Sequence, residues 1–182
     1  MKHLDFSIFP LITTSHLLLR ELTAQDALQI HTLRSDPKIA AMTGKIPSTG
    51  IEDAMVHIYK IGKLMEENAC VYWAISLPDN PSLIGAICLW NFDIENAVAE
   101  IGYELLPEYQ GKGIMREAIA AVIKYGFEEM KVSTITAFPS LNNASSIKVL
   151  KMAGFKRDSK LYQNSHGDDV VNMVTFSLTL PE

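Results

Sequence analysis

The feature that most constrains the fold lies between residues 97 and 138. There a strand-like run, a glycine-containing turn, an amphipathic segment and a second strand-like run follow one another. Apolar residues recur at helical spacing from Gly113 to Met130, the pattern of a helix that buries one face. A helix between two strands predicts a right-handed crossover that makes the strands parallel neighbours. We therefore expect strands at 97–105 and 132–138 to lie side by side.

Shorter patterns predict the remaining elements on either side of this unit. Helical spacing and caps predict helices at 24–35 after Thr23, at 51–67, and from Asn143 to Ala153. Alternating or β-branched runs predict strands at 16–22, 70–77, 83–92, from Phe155 onward, and at 170–180. Turn residues at 78–81 and 93–96 make the strands from 70 to 105 an antiparallel meander, and 43–50 is predicted to be a loop.

This order predicts an α/β fold with a mixed β-sheet flanked by helices, antiparallel in its first part and parallel in the middle. The chain has 182 residues, without an internal repeat, a low-complexity tract or a linker. A length of this size corresponds to about one domain. We therefore expect residues 1–182 to form a single domain.

Composition excludes several classes of protein. The chain has 16 Lys and Arg against 21 Asp and Glu, a net charge of −5, whereas nucleic-acid binders are usually basic. No uncharged apolar run approaches the roughly 18 residues of a membrane span. Cys70 and Cys88 lie in apolar runs, which indicates free thiols in a reducing cytoplasm. The histidines lack the spacing of metal ligands, so no metal site is expected.

The segment from Leu105 to Met115 is the most informative for chemistry. Gly111 and Gly113 let the backbone turn sharply and approach a ligand closely. The helix that follows presents free N–H groups at its start, which form a suitable binding site for a pyrophosphate. Lys112 adds a positive charge there. The nucleotide P-loop pattern is absent, and Arg116 stands where a dinucleotide fingerprint needs its third glycine.

The run Gln110-Gly-Lys-Gly113-Ile-Met115 resembles the acetyl-CoA signature of the GNAT superfamily of N-acetyltransferases. Met115 departs from the small residue usual at the last position, but resembles the RimJ/RimL-type branch, where Met occurs there. Three further segments are similar to that branch, and they lie at 17–27, 99–105 and 143–155. The resemblance covers nearly the whole chain and implies acetyl-CoA as cosubstrate.

The resemblance also implies where acetyl-CoA binds. The strands at 97–105 and 132–138 would splay apart, with the pantetheine arm in the gap and backbone groups near Glu104 pairing with it. The residues implied to contact acetyl-CoA are Leu105, Leu106, Gln110, Gly111, Lys112, Gly113, Ile114, Met115, Asn143 and Ser146. Asn143 and Ser146 also suit the start of a helix, where capping needs no ligand.

Transfer requires a neutral amine that attacks the thioester carbonyl, so a general base is useful. Glu100 lies close to where many family members place their general-base glutamate. Glu104, on the same strand face, is the second candidate for the base. Many relatives protonate the departing thiolate with a tyrosine, but that position here is Leu150; Ser146 matches the serine of the RimL-like branch. A strand N–H near Leu105 is the expected donor to the oxyanion.

The acceptor is left open between two kinds of amine. The branch implies the N-terminal amine of a protein or peptide; the alternative is a small amine such as a polyamine, an aminoglycoside or an amino acid. Tyr162 and His166 are candidates for the acceptor pocket. A non-catalytic acyl-CoA-binding module and a longer acyl donor also fit the sequence, and relatives suggest a homodimer by analogy.

Overall fold

The computed structural model describes residues 4–37, 39–40, 46–160 and 173–180. Within these residues, eight strands form one mixed sheet. The strands are β1 (Ile12–Thr13), β2 (Leu18–Glu21), β3 (Cys70–Leu77), β4 (Asn80–Asp93), β5 (Val98–Leu105), β6 (Thr134–Ala137), β7 (Lys156–Arg157) and β8 (Phe176–Thr179). Their order across the sheet is β1-β2-β3-β4-β5-β6-β8-β7, so the mixed α/β fold predicted from the sequence is confirmed.

The helices that flank the sheet lie close to their predicted positions. They are α1 (Ala27–Ser35), α2 (Ile51–Glu66), α3 (Ile114–Glu128) and α4 (Ala144–Met152), and short 3-10 turns span Ala24–Asp26 and Pro107–Tyr109. Thr23 and Asp26 form the capping box that precedes α1. Asn143 caps α4, because its side chain accepts a hydrogen bond from the Ser146 amide at 3.0 Å.

The antiparallel meander β3–β4–β5 is confirmed, with one boundary corrected. Cys70 pairs with Trp90, and Trp90 pairs with Glu100, so the three strands are adjacent; the register shifts once in each pair, between Ile75 and Leu77 and between Trp90 and Asp93. The turn predicted at 78–81 is shorter, because Leu77 pairs with Asn80 and β4 begins there rather than at residue 83. The hairpin pairing itself draws Asn80 and Pro81 into the strand.

The crossover through α3 makes β5 and β6 parallel neighbours, as predicted, but over a short distance. Val98, Ala99 and Glu100 pair with residues 134–136 of β6. β5 continues to Leu105 and stays paired with β4 as far as Gly85, whereas no described residue of β6 pairs with β5 after Glu100. The sheet therefore opens between these two strands.

The two faces of the sheet bury separate hydrophobic clusters. One face packs against α3 and α4, with fully buried Ile119, Ile135 and Leu150 in its core. The other packs against α1 and α2 and includes Ile30, Leu33 and Ala54. Burial of an aliphatic side chain is worth about 1.5–3 kcal/mol, so these clusters hold the helices on both sides of the opening.

Some sequence predictions concern residues outside those described. Tyr162 and His166 lie there, as do parts of the predicted loop at 43–50 and strand at 170–180. Cys70 and Cys88 are free thiols, the first buried and the second half-buried. Among the described residues, no helix has both the length and the apolar run that a membrane span requires.

Candidate active site at the opening of the sheet

A cavity of about 370 Å³ runs through the opening between β5 and β6. Its walls come from both faces of the sheet. On the α3 and α4 side it is lined by Pro139, Asn143 and Ser146, and on the other side by His57 and Tyr72. The strand β5 forms its central wall from Glu100 to Glu104. The cavity therefore has residues from both faces of the sheet in its walls.

The glycine-rich turn lies between β5 and α3, as the sequence predicts. Gly111 and Gly113 have positive φ angles of +75° and +83°, which residues with a side chain rarely adopt. The Glu117 amide donates to the Gly113 carbonyl, so the helix begins with the amides of Ile114 and Met115 directed outward. Open space surrounds both glycines, and these amides fit a pyrophosphate.

Other residues implied to contact acetyl-CoA have structural partners of their own. The Gln110 side-chain amide donates to the Leu105 carbonyl at 3.0 Å and ties the turn to the end of β5. The Lys112 ammonium lies 5.5 Å from the centre of the Tyr109 ring. The Leu106 amide donates to Ile84 at 3.0 Å, so it faces β4 rather than the opening.

Backbone alternation identifies the polar groups that β5 presents to the opening. Since the Leu106 amide faces β4, the backbone groups of Leu105 and Tyr103 face the opposite edge. The hydrogen bond from Gln110 to the Leu105 carbonyl agrees with this orientation. The amides of Tyr103 and Leu105 are therefore the strand donors available to a carbonyl or an arm placed in the gap.

Ser146 lies in the first turn of α4 and faces the same cavity. Its hydroxyl forms a 2.8 Å hydrogen bond with the hydroxyl of Tyr103 on β5. Burial raises the pKa of Tyr103 to about 12, and the hydrogen bond with Ser146 acts in the opposite direction. Leu150, where many relatives carry a tyrosine, is fully buried in the core.

Both candidate glutamates are buried on one face of β5. Glu100 is 3% exposed and Glu104 is 8% exposed. The Asn91 side chain donates to the Glu100 carboxylate at 3.1 Å. Gly102 lies between the two glutamates. A Cβ at this position would come within 3.1 Å of Cys88 Sγ, so a larger residue would crowd this part of the cavity wall.

The wall formed with α1 and α2 carries aromatic and basic groups. Tyr72 is buried, and its hydroxyl has no hydrogen-bond partner among the described residues. Burial, together with the charge of Glu104, raises the pKa of Tyr72 well above its usual value, so this hydroxyl keeps its proton. Arg34, His57 and Lys60 line the same side.

The described residues contain no group of three or more His, Cys, Asp or Glu side chains placed to hold a metal ion. A glycine turn at a helix start, an opened pair of parallel strands and a buried carboxylate beside the gap are features that fit an acyl-CoA-dependent transferase. Asn143 and Ser146 line the cavity on the α3 and α4 side, and His57 and Tyr72 line it on the opposite side.

Comparison with known proteins agrees with this class. The acetyltransferase (GNAT) domain family matches residues 16–156. The uncharacterized N-acetyltransferase YoaA of Bacillus subtilis is 33% identical over 156 residues, which are 86% of this chain and 88% of that protein. A candidate ribosomal N-acetyltransferase of the same organism, YdaF, is 37% identical over 94 residues, about half of each chain.

A solved structure agrees with the fold as well. RimL, a ribosomal L7/L12 alpha-N-protein acetyltransferase in complex with coenzyme A, superimposes with a TM-score of 0.80 at 18% identity, covering 94% of this chain and 98% of that one. This chain belongs to the GNAT acetyltransferase family and is an acetyl-CoA-dependent N-acetyltransferase.

The structure brings Glu100, Glu104, Asn143 and Ser146 to one cavity, whereas its lining does not include Leu105, Leu106 or the turn at 110–115. Sequence reasoning missed Tyr103 and Tyr72. The alternation of β5 could have placed Tyr103 opposite Glu100 and Glu104, on the face toward α4. Its pairing with Ser146, 43 residues away, has no signal in the sequence.

Proposed function

We propose that this enzyme acetylates the N-terminal amine of a protein or peptide by direct attack in a ternary complex. The observation that carries the proposal is the cavity that passes through the opened sheet. An acceptor that enters from the α1 and α2 side reaches the gap beside Glu100, while the Gly111–Gly113 turn and α4 hold acetyl-CoA on the other side.

Glu100 acts as the general base in this proposal. An α-amino group has a pKa of about 7.7–8.0, so a substantial fraction is neutral near pH 7.5. Glu100 takes a proton from the nitrogen as the C–N bond forms and the C–S bond breaks. A strand amide at Tyr103 or Leu105 donates to the carbonyl oxygen as it gains negative charge. Ser146 lies on the side of the departing sulfur.

The charges on the acceptor wall give a polyamine no particular attraction. Arg34 and Lys60 are balanced by Glu100 and Glu104 in the same cavity, so the wall has no excess of negative charge for an acceptor that carries several positive charges. A peptide N-terminus brings one ammonium and a chain of carbonyl oxygens, for which the Tyr72 hydroxyl is a suitable donor. The similarity of half the chain to the candidate ribosomal acetyltransferase YdaF also supports a protein acceptor.

The experiment measures coenzyme A release from acetyl-CoA with a panel of amines, and mass spectrometry identifies the products. The panel contains peptides that start with Ala or Ser, spermidine, an aminoglycoside and free amino acids. The matched control is each peptide with a blocked N-terminus and one internal lysine. We expect acetylation of the free peptides and none of the blocked ones.

Other outcomes give different answers. Turnover of spermidine, the aminoglycoside or amino acids in preference to peptides would replace the proposed acceptor by a small amine. Acetylation of the blocked peptides would move the acceptor to the lysine side chain. Tight binding of acetyl-CoA without turnover on the whole panel would favour a non-catalytic acyl-CoA-binding module.

A further inference from the structure

Two hydroxyl groups from distant parts of the chain meet inside the cavity. Tyr103 lies on β5 beyond Glu100, the last residue that pairs with β6, and Ser146 lies in the first turn of α4. Their oxygen atoms are 2.8 Å apart, and both residues line the cavity. Asn143 accepts a hydrogen bond from the Ser146 amide at 3.0 Å, so Ser146 is fixed by its backbone as well as its side chain.

Capping of α4 does not require this contact. The neighbouring Ser145 hydroxyl donates to the Asn143 side chain at 3.0 Å, which is an ordinary local interaction at a helix start. The Ser146 hydroxyl instead reaches across to β5. Helix capping therefore explains the Ser146 amide but not the position of its hydroxyl.

Either hydroxyl can donate in this hydrogen bond, and its direction determines what Ser146 can do. Each hydroxyl has one proton to donate and can accept as well. Because burial raises the pKa of Tyr103 to about 12, its hydroxyl keeps its proton throughout the physiological range. When Tyr103 donates to Ser146 Oγ, the Ser146 proton is available for a third group in the cavity.

We propose that Tyr103 is a positioning residue that holds the Ser146 hydroxyl so that Ser146 donates a hydrogen bond to the coenzyme sulfur as the thioester breaks. The proposal rests on the proposed function of this site. The support of the leaving group by Ser146 is what the resemblance to the RimL-like branch implies, and the positioning of Ser146 by Tyr103 is the new inference.

The step balances without a net proton transfer from either hydroxyl. The amine nitrogen bonds to the acetyl carbon and loses its proton to Glu100, and the electron pair of the C–S bond leaves on sulfur. An alkyl thiol has a pKa of about 8.5, well below about 12 for Tyr103, so the tyrosine does not give up its proton to the thiolate. The thiolate accepts a hydrogen bond from Ser146 and takes a proton from water on release.

The test measures the pKa of the coenzyme A thiol while it is bound to the protein, from the ultraviolet absorbance of the thiolate across a pH series. Tyr103→Phe and Ser146→Ala are compared with the unaltered enzyme. Tyr125→Phe is the control, because Tyr125 is a half-buried tyrosine on α3 that packs against Trp73 away from the cavity. The acidic and basic side chains that line the cavity are unchanged in all variants: Arg34, His57, Lys60, Glu100 and Glu104.

We expect the bound thiol to have a pKa about one unit higher in Tyr103→Phe and one to two units higher in Ser146→Ala, because a hydrogen bond to a charged group has been weakened or removed. Turnover falls about tenfold in Tyr103→Phe, and the double variant is no worse than Ser146→Ala. Tyr125→Phe leaves the thiol pKa and the turnover unchanged.

An unchanged thiol pKa in Tyr103→Phe, with turnover within twofold of the unaltered enzyme, would overturn the role of Tyr103 and leave the proposed function standing. A pKa difference without turnover on any amine would support Tyr103 and overturn the proposed function. Melting temperatures of the variants show that each is folded.

Discussion

Replacing Glu100 by Gln removes a negative charge from the cavity and little else. Glu100 is 3% exposed, and its carboxylate accepts a hydrogen bond from the Asn91 side chain at 3.1 Å. Glutamine has the same shape and keeps a carbonyl oxygen that accepts from Asn91. The Glu100→Gln variant should therefore fold normally and bind acetyl-CoA as before, because the Gly111–Gly113 turn is untouched.

The magnitude follows from the role of Glu100 as the residue that takes the proton. General-base catalysis contributes about 10²–10⁴-fold, and water in the open cavity can partly replace the carboxylate, so we expect a loss of about 10²-fold in kcat. This corresponds to about 2.7 kcal/mol of transition-state stabilisation. The loss should persist above the amine pKa of about 8, because Glu100 takes the proton that even a neutral amine must release as the C–N bond forms.

The assay is coenzyme A release at saturating acetyl-CoA over a range of peptide concentrations and pH, with acetyl-CoA affinity measured by calorimetry. Glu104→Gln tests the alternative base, since it lies about 13 Å along the same face of β5. Glu95→Gln, in the exposed turn before β5, is the neutral control. The assignment would be refuted if the kcat of Glu100→Gln were within threefold of that of the unaltered enzyme and the kcat of Glu104→Gln were far lower.

Three further changes test other parts of the structure. Tyr72→Phe should raise the acceptor KM severalfold and leave the melting temperature equal or higher, because a buried hydroxyl without a described partner is removed; a lower melting temperature would contradict this. Gly113→Ala should weaken acetyl-CoA binding about tenfold in calorimetry, because alanine resists a φ of +83°; unchanged affinity would count against the turn as the pyrophosphate seat. Asp26→Asn should lower the free energy of unfolding by about 3 kcal/mol in urea, because the buried carboxylate accepts from both terminal nitrogens of the Arg20 guanidinium; a loss below 1 kcal/mol would refute this.

Local signals account for the parts of the fold that the sequence predicted well. The period of α3 and the glycine turn before it predicted the crossover, and β-branched and aromatic content predicted β3 to the residue. β1 escaped prediction because its two residues are held in the sheet by pairing with β2 and not by any pattern of their own. The start of β4 was misplaced for the same reason, since pairing across the hairpin overrides the turn propensity of Asn80 and Pro81.

Some features of the candidate site were likewise predictable from the sequence, and others were not. Glu100 and Glu104 share a face because a strand repeats every two residues, so their common cavity was predictable. The contact of Tyr103 with Ser146 and that of Gln110 with Leu105 depend on how α4 and the turn pack on β5. Such contacts depend on tertiary geometry, which residue spacing along the chain does not encode.

The divergence of β5 and β6 also bears on how this sheet avoids aggregation. Unpaired strand edges recruit strands from other molecules, and most proteins keep them short, charged or covered at the margins of a sheet. Here the part of β5 that pairs with no described residue of β6 lies in the interior, with helices packed on both faces, so a foreign strand cannot approach it from the side. The Tyr103 and Leu105 amides can thus face a narrow ligand without offering a template for fibre growth.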